Sequence, residues 1–292
     1  MSVLVLAERI PAEELAGLEV VREPGPKVVV VLLMHEVRFG AGDMDALPAL
    51  RAVVTGSVGY DHVDVEAAAK RGIWVCNVAD YCIDEVADHT LALLLALLRG
   101  VVALDRDVHA AAWDALAAGP LRTLAGLRVG IVGYGRIGGA VGRRLGALGC
   151  ELLVHDIRDV GVPLVPLHEL LERSEAVTLH GPLTAASRGL IGPEQIARMR
   201  PGALLVNTAR GPLVDLEPLV EALRDGRLGG AALDVLPSEP PAGVPDLPNL
   251  ILTPHAAWYS AESERKAYAG AVAAARAALR GERPASVVPE TP

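Results

Sequence analysis

Aromatic side chains are scarce in this chain: one Phe, three Trp and five Tyr, 3% of 292 residues. Hydrophobic residues still make up 51%, so the cores must be assembled from Val, Leu, Ile and Ala. That composition favours parallel strands covered by Ala- and Leu-rich helices. Positive charge is in deficit as well. A formal net charge of -9 supplies no basic field for nucleic acid or for an anionic membrane surface, and neither is expected as a partner. The three cysteines, Cys76, Cys82 and Cys150, are odd in number and show no CxxC spacing. Neither a disulfide framework nor a zinc site is indicated, no metal is expected, and a reducing cytoplasm is the expected setting. Long hydrophobic runs are missing too. The first apolar run is closed by Glu8, too early for a signal peptide, and residues 90–98 stop at Arg99, far short of a bilayer span. No repeat of the solenoid or propeller kind is visible.

What the chain does have is strand alternating with helix, and residues 127–156 are the clearest example. An apolar run over 127–132 leads into Gly133-Tyr134-Gly135-Arg136-Ile137-Gly138. A helical pattern follows through Ala140, Val141, Leu145 and Leu148, and a second strand at 152–154 ends on Asp156. Each part has a physical task in holding a dinucleotide. Gly133 permits a sharp turn, Gly135 lets backbone approach a pyrophosphate, and Gly138 lets helix and strand pack closely. The first helical N–H groups, at Arg136 and Ile137, then face phosphate with the positive end of the helix dipole. Asp156 stands where a carboxylate accepts both ribose hydroxyls. This favours NAD over NADP, because a 2′-phosphate beside a carboxylate is repelled, although Arg158 two residues on partly compensates. Strand before, helix after and an acid about twenty residues on make the glycine pattern specific.

The same alternation runs through the rest. Residues 3–6, 28–33, 52–54 and 73–75 read as strands, separated by helical stretches at 11–18, 43–47 and 63–71. They predict a small flavodoxin-like domain with a parallel sheet. Between Thr55 and Asp64 the chain leaves a strand and opens a helix, so Gly56 and Gly59 expose backbone N–H groups at a strand's carboxyl end, where open α/β sheets bind ligands. An ordinary strand-to-helix turn would look the same. Residues 84–112 read as one long apolar helix, which joins two domains or packs on another subunit. Beyond the glycine motif, strands are expected at 176–179, 203–206, 231–235 and 250–252, and helices at 165–171, 195–199, 215–224 and 261–279. The fold class is therefore α/β with two doubly wound parallel sheets. A substrate domain spans residues 1–83, a Rossmann dinucleotide-binding domain 84–258, and 259–292 form a C-terminal helix returning to the first domain.

Three late strands each end in a loop bearing an ionisable residue. These loops contain Arg210 after Asn207-Thr208-Ala209, Glu239 after Asp234, and His255 after Thr253-Pro254. The set holds a guanidinium that forks onto a carboxylate, an imidazole that carries a proton, and a carboxylate that holds the imidazole charged. Beside a nicotinamide, those are the parts needed to reduce a 2-oxo acid. Each alone has a plainer explanation: Arg210 as a helix cap or phosphate ligand, Glu239 as a solvated loop acid, His255 as a satisfied core histidine.

Taken jointly with Leu179-His180-Gly181-Pro182-Leu183-Thr184 and Ser238-Glu239-Pro240, these motifs resemble the D-isomer-specific 2-hydroxyacid dehydrogenases over nearly the whole chain. Cys76-Asn77-Val78 and the segment His255-Ala256-Ala257-Trp258 look like that family's carboxy-terminal binding protein branch. Where many relatives in that branch carry arginine, this chain has Thr55. The resemblance implies NAD(H) as cofactor, a 2-oxo or 2-hydroxy acid as substrate, and a homodimer. It implies a catalytic trio of Arg210, Glu239 and His255, with Asp234 on the nicotinamide carboxamide and Thr208, Pro182, His180 and Thr90 lining the cofactor. Backbone N–H groups of Val58 and Gly59 would hold the substrate carboxylate together with Arg210, and Trp258 would close a pocket for an apolar or thioether tail; packing at the crease between the domains is the plainer alternative for Trp258. Against an enzyme stands a cofactor-sensing corepressor or scaffold with little turnover, since that branch includes such proteins. Formate or phosphite as hydride donor on the same fold is a further alternative. A methyltransferase on a Rossmann fold would leave the trio without shared purpose.

Overall fold

The computed structural model describes residues 1–7 and 10–291; Glu8, Arg9 and Pro292 lie outside the described residues. The chain divides into two compact units, Met1–Tyr81 with Ser260–Pro292, and Cys82–Tyr259.

The first unit carries strands β1 Ser2–Val5, β2 Val20–Val21, β3 Val28–Leu33, β4 Ala52–Thr55 and β5 Trp74–Cys76, with helices α1 Ala41–Asp45, α2 Val65–Lys70 and α9 Ala261–Leu279. The strands lie in the order β2-β1-β3-β4-β5, all pairings parallel. This is the flavodoxin-like order of a doubly wound sheet. Every residue of β3 is buried, as expected of a central parallel strand covered on both faces. The small β2 has too short an apolar run to announce itself. The expected helix at 11–18 is instead a string of turns, closed by i to i+3 bonds such as Glu14 N–H to the Pro11 carbonyl and Leu18 N–H to the Leu15 carbonyl, and it ends at Gly17 with φ +78°. Helix α9 opens on Ser260, whose side chain accepts the Ser263 N–H, and packs on β3 and β4.

The second unit carries β6 Arg128–Val132, β7 Glu151–His155, β8 Ala176–Leu179, β9 Ala203–Asn207, β10 Leu228–Leu233 and β11 Leu250–Leu252. Its helices are α3 Ile83–Leu98, α4 Val101–His109, α5 Arg136–Ala147, α6 Leu167–Arg173, α7 Pro193–Arg198 and α8 Leu216–Arg224. The sheet order is β11-β10-β9-β8-β6-β7, again parallel throughout. Alternate residues of the strands serve opposite faces. Val129, Ile131, Leu204 and Val206 pack with Leu94, Val141 and Leu145 of α3 and α5, whereas Val177, Leu179, Leu205 and Leu233 pack with Leu170, Ile196 and Leu219 of α6, α7 and α8. The period of two and the two covered faces are what the aliphatic composition requires. The single helix expected over 84–112 is two, bent by 61°. Gly100 takes φ +60° at the break, a left-handed conformation that ends a helix and that glycine adopts without strain. Among the described residues no single helix is long and apolar enough to cross a membrane.

Candidate active site

In the second unit the strand order reverses between β6 and β8, and a doubly wound sheet binds its ligand at the carboxyl ends beside such a switch point. The loops leaving these two strands meet there. A Cβ on Gly133 would stand 2.7 Å from the Gly181 amide nitrogen, and one on Gly138 would stand 2.0 Å from the Gly133 carbonyl oxygen. Gly133 also takes φ +86°, so both positions require glycine. Gly135 is different: a Cβ there would meet only the Arg158 guanidinium, at 3.9 Å, which leaves its backbone open to a ligand. The first helical bond of α5 runs from the Gly139 N–H to the Gly135 carbonyl at 2.9 Å, so the N–H groups of Arg136, Ile137 and Gly138 precede the helical ladder. No side chain caps this end and no acid lies in its first turn. Helices α2, α3, α6, α7, α8 and α9 all place Asp or Glu there. An uncapped N-terminus over an open glycine fits a pyrophosphate.

Asp156 follows β7 with its side chain 5% exposed. Its Oδ2 accepts the Tyr134 N–H at 2.8 Å and its Oδ1 accepts the Arg158 N–H at 3.0 Å, with Arg158 Nε 3.5 Å away. Burial pushes the carboxyl up; the two N–H donors and the Arg158 charge outweigh it and hold it below the ordinary carboxylate value. A charged carboxylate with a lone pair to spare on each oxygen fits a ribose diol. His180, after β8, is 3.0 Å from Thr178 Oγ1 through Nε2, while its buried Nδ1 has no hydrogen-bond partner. Burial lowers its pKa to about 4, so the ring is neutral at pH 7, and an unpartnered buried nitrogen beside the glycine turn also suits a ligand there. Pro182 is exposed in the same loop. Thr208 is 8% exposed and shares a 2.8 Å hydrogen bond with Thr90. Thr90 itself is 1% exposed and donates to the Val86 carbonyl, so it lies beneath Thr208 as its support.

The ionisable trio Arg210, Glu239 and His255 sits on the next three loops along the same sheet. His255 Nδ1 is 2.7 Å from Glu239 Oε2; a carboxylate only accepts, so Nδ1 carries the hydrogen. Glu239 Oε1 accepts the Leu236 N–H at 3.0 Å. Arg210 ends a turn built by the fully buried Asn207, whose Nδ2 donates to the Arg210 carbonyl and whose Oδ1 accepts the Ala209 N–H. Gly211 then lets this turn press on the Glu239 loop. A Cβ on Gly211 would lie 2.0 Å from the Leu236 carbonyl carbon and 2.5 Å from the Pro237 nitrogen. Asp234, given to the nicotinamide by resemblance, has a side chain with no exposed surface and spends it on the histidine loop. Oδ1 accepts Thr253 Oγ1 at 2.6 Å and the Ala256 N–H at 2.8 Å, and Oδ2 accepts the Ala257 N–H at 3.0 Å. Trp258 is half-buried, edge-on to the exposed Tyr259 with ring centroids 5.6 Å apart.

The first unit has a polar loop of its own after β4, and three successive carbonyls in it find partners within the unit. The Ser57 carbonyl accepts the Val78 N–H at 3.0 Å, the Val58 carbonyl accepts Asn77 Nδ2 at 2.7 Å, and the Gly59 carbonyl accepts Ser57 Oγ at 2.8 Å. In a trans peptide the N–H points opposite to the carbonyl. The N–H groups of Val58, Gly59 and Tyr60 therefore turn away from these partners, an arrangement suited to an anion. Thr55, fully buried, is 2.7 Å from Ser57 Oγ and 3.0 Å from His62 Nε2. Ser57 spends its hydrogen on Gly59, so Thr55 donates to Ser57 and accepts from His62.

Asn207, Gly211 and Thr253 lie inside the motifs without any local pattern to mark them, and His89 lies outside every motif. His89 Nε2 lies 3.1 Å from Thr253 Oγ1 and 3.6 Å from Asp234 Oδ1. Its signal is a polar run, Asp88-His89-Thr90, in a helix that is apolar from Leu91 to Leu98.

Residues 91–257 match the family model described as D-isomer specific 2-hydroxyacid dehydrogenase, NAD binding domain. The chain is 42% identical over 258 residues to a glyoxylate reductase of Korarchaeum cryptofilum, covering 84% of this chain and 77% of that one. Its structure resembles the TT0316 protein of Thermus thermophilus, with a TM-score of 0.89 and 38% identity over 99% of this chain and 100% of that one. It also resembles a D-lactate dehydrogenase from Aquifex aeolicus complexed with NAD and lactic acid, with a TM-score of 0.88 and 27% identity over 97% and 96% of the two chains.

Proposed function

The chain belongs to the D-isomer specific 2-hydroxyacid dehydrogenase family, oxidoreductases acting on the CH–OH group of 2-hydroxy acids, and we propose that it reduces a short 2-oxo acid with NADH, His255 acting as general acid. The observation that carries this reading is the 2.7 Å pair of Glu239 and His255, next to the Arg210 turn on one sheet edge. Bound nicotinamide supplies hydride to C2 of the oxo acid. With Nδ1 tied to Glu239, His255 delivers its proton from Nε2 to the developing alkoxide and, in reverse, takes it from the hydroxyl. Arg210 forks onto the carboxylate and polarises the carbonyl. For Val58 and Gly59 the proposal is that their N–H groups hold the substrate carboxylate; for Trp258, that it packs on the substrate's side chain.

The glycine turn, the uncapped α5, Thr208 and His180 support a dinucleotide. Asp156, held charged, supports NAD over NADP. The names of the relatives fit a small substrate: one is a glyoxylate reductase and another was crystallised with lactic acid. A homodimer is part of the proposal, supported by apolar side chains left in solvent on and after α4: Val101 55%, Val108 51%, Trp113 91% and Leu116 79% exposed. Such a stretch on a monomer invites a second copy. The test is NADH and NADPH oxidation across glyoxylate, pyruvate, hydroxypyruvate and branched, aromatic and thioether 2-oxo acids. Saturable NADH turnover with a short member supports the reading, and cofactor binding without turnover across the panel refutes it.

A further inference from the structure

His255 is one of two non-glycine residues with positive φ, +53°, among the described residues. A side chain rarely adopts that conformation unless the surroundings impose it, and outliers of this kind gather at working sites. Here the restraint is visible and lies on both sides of the histidine. The His255 N–H donates to the Asp234 carbonyl at 2.8 Å. The Asp234 carboxylate takes Thr253 Oγ1, two residues before, and the Ala256 and Ala257 N–H groups immediately after. Thr253 Oγ spends its hydrogen on Asp234, so His89 Nε2, 3.1 Å from the same oxygen, must be the donor to it. His89 belongs to α3, which packs against β9 and β10. The loop that carries the imidazole is thereby tied to a helix that none of the reacting groups occupies.

We propose that His89 and Thr253 are positioning residues for proton transfer: together with Asp234 they form a buried clamp that holds His255 in its left-handed conformation and so aims the imidazole. This rests on the reading of His255 as the general acid. Thr253 is the key link, since its hydroxyl accepts from His89 and donates to Asp234, and a methyl group can do neither.

The test compares Thr253→Val, which keeps the shape and removes the hydroxyl, with Thr253→Ser, which keeps the hydroxyl, and with His89→Phe. The measurements are kcat and KM against glyoxylate or pyruvate, the solvent isotope effect on kcat, NADH affinity by fluorescence quenching, and a crystal structure of each variant. Thr253→Val and His89→Phe are expected to lose roughly 10- to 100-fold in kcat, the scale of a misplacement of about 1 Å. The solvent isotope effect should rise as proton transfer becomes limiting, NADH affinity should hold, and Thr253→Ser should restore turnover. In the crystal His255 should leave φ near +53° in Thr253→Val and keep it in Thr253→Ser. Unchanged φ in Thr253→Val, a loss confined to NADH affinity, or a Ser variant as impaired as the Val variant would each overturn the clamp. An inactive wild type would refute the reading of the reaction instead, and the crystallographic arm would still decide the clamp.

Discussion

Gly211 joins two loops that have no reason in sequence to be near each other, and Gly211→Ala is the most direct test of that junction. Glycine is not needed there for its backbone angles, since Gly211 has no positive φ; alanine is excluded by space alone. Its Cβ would lie 2.0 Å from the Leu236 carbonyl carbon, 2.1 Å from the Leu236 oxygen and 2.5 Å from the Pro237 nitrogen. Carbon atoms rest about 3.5–4.0 Å apart, so the loops must separate by roughly 1.5 Å. The obstruction is backbone, with no flexible side chain to swing aside. Overpacking of this kind costs about 1–3 kcal/mol, or a fall in Tm of roughly 2–12 °C for a unit of this size. Activity should suffer more. Arg210 directly precedes Gly211, and the Leu236 N–H holds Glu239, so a displacement near 1 Å strikes two of the three reacting groups and should cost about 100-fold in kcat. Thermal melting with NADH-coupled turnover measures both, and Gly42→Ala is the control. A Cβ there meets nothing within 4 Å, in helix α1 of the other unit. A Gly211→Ala protein with wild-type kcat and Tm would show that the two loops are not packed as described.

Other substitutions separate binding from chemistry. His255→Ala should lower kcat by about 10²–10⁴-fold, the usual share of general acid–base catalysis, with NADH affinity nearly unchanged in a fluorescence titration; normal turnover would end its assignment. Asn77→Ala releases the Val58 carbonyl and lets the peptide carrying the Gly59 N–H rotate. The KM for the oxo acid should rise roughly tenfold, about one charge-assisted hydrogen bond, with a smaller change in kcat, read from initial rates. His180, with its pKa lowered by burial to about 4, makes stability depend on pH. Between its ordinary value near 6.5 and about 4 the unfolded chain binds a proton that the folded one refuses, so stability falls as pH drops through that window and levels off below it. Melting of His180→Gln between pH 4 and 7 should be flatter than that of the wild type, and identical slopes would contradict the burial.

The parts that could be read from the chain are those in which local pattern and local structure coincide. Gly133, Gly135 and Gly138 stand at fixed spacing between a strand and a helix, so their tasks follow from a dozen consecutive residues. Strands such as 28–33, 176–179 and 250–252 are bounded by polar or Gly/Pro clusters and fall where expected. The helix break at Gly100 was hidden because apolar residues continue on both sides of it, and periodicity cannot register a left-handed residue. The segment at 11–18 has helical periodicity but closes successive i to i+3 turns. The site's pairing of Glu239 with His255 matches the chemistry read from the loops, but the contacts that enforce it are long-range. The approach of Gly211 to Leu236, the burial of Asp234 beneath residues 253–257 and the reach of His89 from α3 depend on how strands β9, β10 and β11 align. A histidine within the polar run Asp88-His89-Thr90 of α3 carries no mark of its partner 164 positions away.

These contacts form a single chain across the sheet edge. Thr90 supports Thr208, the Asn207 turn carries Thr208 and Arg210 together, and Gly211 presses that turn on Leu236. The Leu236 N–H holds Glu239, Glu239 holds His255, and Asp234 with Thr253 and His89 holds the loop beneath it. Thr208, proposed to line the cofactor, and Arg210, proposed to hold the substrate, thus share one backbone turn of five residues, 207–211. Groups coupled in this way do not contribute independent increments, because displacing one removes the geometry on which its neighbours act. The loss from Gly211→Ala and the loss from Thr253→Val both pass through His255. Their combination should therefore cost less than the product of the two, while either combined with a substitution at Asn77, in the other unit, should multiply.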